Sequence, residues 1–244
     1  MILERLEGVR FSRVIPAWRG RTAVLIGGGP SLTEAQVHEI RLARERDEVR
    51  AVAVNDAYLW APWADVHYAA DGKWHRWHTA GIAKPALGFT ADEVRARWAA
   101  FTGQKCSIDW GGEWVADERI HVMRNLHGDV RGYGLSTDPE RLVTGFNSGF
   151  CALNLAFLAG SARIILVGFD GSASPTGASH WHGGHPTGTT PAIYEHVRRS
   201  FSMAEAALEA AGVVVVNCSP GSAIESFPKA RLADALAVQL EGAA

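Results

Sequence analysis

The stretch SHWHGGHP, residues 179–186, sets His180, His182 and His185 within six residues of one another, shortly after an apolar run, ARIILVGFD, that ends in Asp170. Imidazole titrates near neutrality, so it suits removal of a proton from a hydroxyl, and a carboxylate can orient it. His185 is therefore the expected general base, Asp170 its orienting carboxylate, and His180 and His182 candidate substrate contacts. The H-x-H spacing also occurs at metal centres. A Gly-Gly loop would lose conformational entropy on closing around zinc, however, and Asp170 is the one nearby carboxylate or thiol that could complete a coordination sphere, so no metal site is expected. A solvent-exposed loop without a role is the remaining reading. If magnesium takes part, Asp170 and Asp71 are its candidate oxygen ligands.

A second chemical signature lies near the start of the chain, in VLIGGGPSLTEA, residues 24–35. An apolar run meets a helix-forming stretch there, which places three glycines in a strand-to-helix turn. Such a turn lets backbone N–H groups approach an anion, and the helix start adds uncapped donors and the positive end of its dipole. Gly27, Gly28, Gly29 and Ser31 are the candidate nucleotide contacts. Ser31 and Glu34 also read as an S-x-x-E capping box, predicting a helix that starts directly after Pro30. The third glycine of a dinucleotide fingerprint would fall at Leu32, and no G-K-[ST] follows, so neither a nicotinamide enzyme nor a P-loop kinase is indicated. The competing reading is a tight turn that only packs the helix on the sheet. The next strand ends in VNDAY, where Asn55 and Asp56 would reach the same sheet edge and either bind ribose or base or simply form a turn.

A third polar knot is DGKWHRWH, residues 71–78. Lys73, His75 and Arg76 could hold a phosphate or sugar carboxylate while an indole stacks on a base or sugar, with Asp71 nearby at a strand end. Alternatively Trp74 and Trp77, three apart on a helix start, pack into the core.

The elements that must position these groups alternate. VRAVAVND, ADVHYAAD and KPALGF read as strands after the first helix; NSGFCALNLAFLAG reads as an apolar helix, ARIILVGFD as a buried strand, residues 189–212 as a helix with Pro191 in its first turn, VVVVNCSPGS as a strand, and residues 228–240 as a closing helix. Such alternation predicts an α/β, Rossmann-like fold: a mostly parallel sheet with helices on both faces. A chain of 244 residues suffices for one such domain. Between residues 90 and 146 the pattern degrades into one amphipathic piece, the DWGGEW stretch and a short RIHVMR strand candidate, and a lid or acceptor-binding insertion is expected there.

With 24 basic against 26 acidic residues, scattered rather than striped, no nucleic-acid footprint is indicated. The three cysteines, Cys106, Cys151 and Cys218, are far apart in small or apolar surroundings, which suits a reducing, cytoplasmic setting. The charged start MILERLEGVR is not read as a signal peptide, and no run reaches the roughly 18 apolar residues of a membrane span. An oligomer is compatible with all of this.

The ordered set GGGPSL, Asn55, TGFNSGFCALNLAFLAGSARIILVGFD, SHWHGGH and NCSPGSAIESFP resembles the bacterial lipooligosaccharide sialyltransferases across most of the chain outside residues 90–140. The resemblance implies a Rossmann-like fold that binds CMP-sialic acid without a catalytic metal. By the same resemblance Gly28, Gly29 and Ser31 line the nucleotide, Asn55 holds its ribose or base, Ser148 and Gly149 contact it from a helix start, and His185 deprotonates the acceptor hydroxyl. This chain departs from that pattern in two places. The tyrosines that bind the departing phosphate in the family are replaced by Gly171 and Ser172, and Asp71 stands near the place of a nucleotide-binding asparagine. The G-x-G-P-S turn is also similar to that of the archaeal-type hydroxymethyl-dihydropterin pyrophosphokinases, which bind ATP with magnesium. The expected function is thus a nucleotide-dependent transferase moving a sugar from a CMP-sugar to a hydroxyl. The alternatives are an ATP- and magnesium-dependent pyrophosphokinase or a nucleotide-binding protein without catalysis.

Overall fold

The computed structural model describes residues 1–109, 117–126, 133–183 and 189–238. An antiparallel hairpin of β1 (Leu3–Arg5) and β2 (Ser12–Val14) precedes the main sheet. The sheet comprises β3 (Thr22–Ile26), β4 (Val49–Val54), β5 (Val66–Tyr68), β6 (Gln104–Ile108), β7 (Ile120–Asn125), β8 (Arg141–Leu142), β9 (Arg163–Val167) and β10 (Val214–Asn217). Its strands run parallel in the order β10-β9-β3-β4-β5-β6-β7-β8. The helices are α1 (Glu34–Glu45), α2 (Gly72–Ala80), α3 (Ala91–Ala100), α4 (Ser148–Leu158), α5 (Pro191–Ala210) and α6 (Leu232–Ala237). This is the α/β, Rossmann-like architecture that the alternating pattern predicts.

Central β3, TAVLI, is buried along its whole length, as a parallel strand covered on both faces must be. Its side chains alternate between two cores. Ala23 and Leu25 join Phe150, Leu153, Phe201 and Ala204 of α4 and α5, whereas Val24 and Ile26 join Val37 and Ile40 of α1. The chain winds from β3 outward to β8, returns through α4 and lays β9 on the other side of β3. Strand order therefore reverses at β3, and the carboxyl ends of β3, β4 and β9 bound the crevice where ligands bind in open α/β sheets.

Three local expectations are corrected. The segment 90–146 is not simply an insertion, because strands β6, β7 and β8 within it extend the main sheet and α3 packs on α2; residues 110–116 and 127–132 lie outside the described residues. KPALGF forms a 3-10 turn, Pro85–Leu87, closed by a bridge between Lys84 and Phe89, because Pro85 cannot donate to a ladder and Gly88 takes a left-handed conformation. Helix α1 is capped by Thr33 and Gln36 rather than by Ser31 and Glu34, so it begins later than the sequence suggests. The Ser31 hydroxyl is engaged elsewhere, donating to Asp170 Oδ2 at 3.0 Å.

Candidate functional site

A cavity of about 220 Å³ opens at the switch point. Its floor is the glycine turn after β3, Gly27–Gly29, facing Gly168, Phe169 and Asp170 after β9. Asn55 and Asp56 after β4 form one side, the start of α4 (Asn147, Ser148, Gly149) another, and Ser179 to His182 the cover. The first turns of α5 close the far wall with Ile193, Tyr194 and Val197. The glycine turn, the helix start and the histidine loop thus border one void.

The three glycines have separate reasons. Gly27 N–H donates to Val167 O at 2.7 Å and Gly29 N–H to Gly168 O at 2.8 Å, so both amides are spent on the β9 segment. A Cβ at Gly27 would meet the Gly168 carbonyl and the Phe169 ring, and one at Gly29 would coincide with the Asp170 carboxylate. These two glycines permit close approach of two chain segments, which is the packing role weighed against ligand binding. Gly28 differs, since a Cβ there would meet nothing nearer than His180 Nδ1 at 3.7 Å. Its carbonyl accepts from the Trp181 N–H at 3.2 Å and from His180 Nδ1–H at 3.3 Å, which draws the histidine loop down onto the turn.

Asp170 is 8% exposed, and burial raises its carboxyl above the ordinary range even though Ser31 donates to it. Its described partner is therefore the serine of the glycine turn. His185 and the expected His185–Asp170 pairing fall at residues 184–188, which lie outside the described residues.

The start of α4 follows two residues with positive φ, Gly145 at 51° and Phe146 at 64°. Asn147 then caps the helix by accepting from the Phe150 N–H at 2.7 Å, and Ser148 Oγ accepts from the Ala70 N–H at 3.1 Å. Ser148 and Gly149 occupy the first positions of α4, where backbone N–H groups have no intrahelical partner. Gly149 is also small for packing, because a Cβ would press on the Phe169 ring.

Asn55 has a φ of 51°, a left-handed conformation that asparagine tolerates better than most residues, and its carbonyl accepts from His67 Nε2–H. The next residue, Asp56, is only 3% exposed. Its Oδ1 accepts from Trp74 Nε1–H at 3.0 Å and lies 3.0 Å from His78 Nε2; its Oδ2 lies 2.6 Å from Lys84 Nζ and 2.9 Å from His182 Nε2. Burial alone would raise this carboxyl, but the His182 imidazole, the His78 ring 3.0 Å away and the charge of Lys84 hold it well below the usual range.

The DGKWHRWH knot does not reach the cavity. His75 is 2% exposed, donates from Nε2 to the Ala69 carbonyl at 3.0 Å, and is pushed down to about 4 by burial, so it is a core residue rather than a ligand contact. Trp74 stacks on His78 with ring centroids 3.7 Å apart, the packing alternative for that tryptophan. Lys73 and Arg76 lie exposed on α2, and Asp71 is its exposed N-cap. None of the three lines the cavity.

The sequence does not signal the surroundings of two residues. Asp56 reads locally as a ribose, base or turn residue, and nothing near it in sequence announces its convergent donors. Tyr194 lines the cavity with a buried hydroxyl that has no hydrogen-bond partner among the described residues. Its placement on the first turns of a helix predicted to start at Pro191 was the available signal. Among the described residues no group of three or more His, Cys, Asp or Glu side chains is placed to hold a metal, and no helix is long and apolar enough to cross a membrane. No family model, curated protein or solved structure matches the chain.

Proposed function

We propose that this chain is a transferase that binds a nucleotide-activated donor, a cytidine-linked sugar, in the switch-point cavity and passes the sugar to a hydroxyl acceptor. The observation that carries the reading is the shared void: the open face of Gly28, the N-terminus of α4 and the histidine loop all border it. Because the amides of Gly27 and Gly29 are occupied, the anion-binding role falls to the first N–H groups of α4 at Ser148 and Gly149. Asn55 flanks the same space, whereas Ser31 does not line it and reaches it only through Asp170, to which its hydroxyl donates. At about 220 Å³ the cavity is smaller than the roughly 300–1,000 Å³ usual for small-molecule sites. It suits the phosphate and ribose, with the transferred group and acceptor in the open mouth.

In the reaction, the acceptor oxygen forms a bond to the sugar's anomeric carbon while the bond from that carbon to the phosphate oxygen breaks. The nucleoside monophosphate leaves, and the acceptor's proton passes to a histidine of the 180–185 loop, His185 by its place in the motif. Tyr194 can donate its hydroxyl, unpartnered among the described residues, to the leaving phosphate, which offsets the glycine and serine found after Asp170. No metal is required for this chemistry.

One observation favours a second reading. An ionised Asp170 beside the glycine turn repels a phosphate unless a proton or a cation neutralises it. In an ATP- and magnesium-dependent pyrophosphokinase, magnesium would do so. A thermal-shift panel separates the two: stabilisation by cytidine nucleotides in the presence of a chelator supports the first, and stabilisation by ATP only with magnesium supports the second. Under the first reading His185→Ala abolishes turnover and leaves nucleotide binding intact. If neither nucleotide stabilises the chain, both readings fall.

A further inference from the structure

The Asp56 carboxylate gathers donors from three separate stretches of chain: Trp74 and His78 from α2, Lys84 from the turn that follows it, and His182 from the histidine loop. We propose that Asp56 is the positioning residue of the histidine loop, holding His182, and through it residues 179–183, over the cavity. The proposal rests on reading that cavity as the ligand site.

Asp56 faces only donors, and an ionised carboxylate is the side chain that accepts at every position; an asparagine would turn an N–H₂ toward either Lys84 or Trp74 and His78. Tyr58 supports the arrangement from behind, its hydroxyl donating to His78 Nδ1 at 2.7 Å so that His78 Nε2–H faces Asp56. The His182 ring faces an acceptor on both sides, with Nε2 2.9 Å from Asp56 Oδ2 and Nδ1 2.9 Å from the Gly183 carbonyl, a pattern that only the imidazolium form satisfies at both nitrogens. Such a ring has no freedom to swing, so the loop backbone at 182–183 is fixed relative to the end of β4.

The Trp181 main-chain N–H and the His180 side chain both bond to one atom, the Gly28 carbonyl, and Trp181 also packs on Trp60 with centroids 3.7 Å apart. Gly28 is the turn residue that borders open space, so a ligand entering there disturbs those contacts first. The Asp56 hold borders the same cavity but is anchored after β4 rather than on the glycine turn. It therefore keeps the histidine loop in register while the cavity fills.

Hydrogen exchange of the full chain, without ligand, tests this. The Asp56→Asn and His182→Ala variants should each exchange about tenfold faster or more in residues 174–183, the scale expected for losing a hydrogen bond to a charged group, while β3, β9 and α4 keep wild-type rates. Asp56→Asn also removes the counter-ion of buried Lys84; His182→Ala leaves that pair in place and decides the matter if the first variant does not fold. Unchanged exchange in 174–183 for His182→Ala, or acceleration spread evenly over the molecule, overturns the proposal. Because no nucleotide is present, this outcome is independent of the nucleotide panel.

Discussion

The Asp170 carboxylate fills the space that a side chain on Gly29 would need, and the same oxygen accepts from the hydroxyl of Ser31 two residues on. The glycine-rich turn is thus shaped as much by the strand beside it as by any ligand before it. Of its three glycines, Gly28 alone looks onto open space.

That difference makes the glycines separable by substitution. Gly29→Ala forces apart Asp170 and the Gly168 carbonyl and should destabilise the chain by about 1–3 kcal/mol, the range for overpacking a tight site. Gly28→Ala meets no neighbour closer than His180 and should hold stability within about 0.5 kcal/mol, as at unconstrained sites. Urea midpoints check the first pair of values, and the Gly28 variant should lose nucleotide affinity without losing stability.

Asp170 should behave as a residue kept at the expense of stability. Burial raises its carboxyl above the unfolded value, so the folded chain binds that proton more tightly than the unfolded one. The associated stability is full below the unfolded carboxylate range and is lost as pH rises through the folded value. Asp170→Asn, which keeps an acceptor for Ser31, should therefore raise Tm at pH 7 and lose that advantage near pH 4, while turnover falls. Thermal melts at the two pH values read this directly.

Tyr194→Phe removes a buried hydroxyl without a partner among the described residues and keeps the ring that packs the cavity wall. Its Tm should be equal to or above that of the wild type, because an unsatisfied buried polar atom disappears. Turnover should drop roughly tenfold to a thousandfold, the upper figure matching loss of a full donor to developing charge. A variant with wild-type kcat would show that the hydroxyl does not meet the leaving group.

Acid should unfold the protein early. His67 and His75 are buried in the α2 and α3 core, with His75 pushed down to about 4 and His67 and His78 also lowered by burial. Unfolded histidines take up protons near 6.5, so the unfolded state gains protons first as pH falls. Stability is fully present above about 6.5 and declines toward 4. Urea midpoints across that window should fall steeply, and His75→Gln should reduce the steepness by about one proton.

The apolar runs of β3, β4 and β9 and of α4 were legible because buried parallel strands and a buried helix leave long uninterrupted hydrophobic stretches. Strand order was not legible, since periodicity reports which side a residue faces and not which strand lies beside it. Short strands such as two-residue β8 carry too few residues for any period to show. The start of α1 was ambiguous for a specific reason: Ser31 with Glu34 and Thr33 with Gln36 both spell a capping box, and the choice is made by Asp170, far away in sequence. At the site, the glycine turn and the histidine loop could be read locally, and His180 and His182 do meet Gly28 and Asp56. His75, Lys73 and Arg76 misled because a cluster of basic and aromatic residues on a short helix looks the same whether it faces a ligand, the core or solvent.

The most direct test is a crystal structure of the full chain grown with cytidine monophosphate and a metal chelator. The account predicts the phosphate at the first N–H groups of α4, beside Ser148 and Gly149, with the ribose near Asn55 and the loop of residues 179–182 above it. Nucleotide bound anywhere outside the β3–β4–β9 crevice, or a crevice left empty at saturating nucleotide, would contradict it.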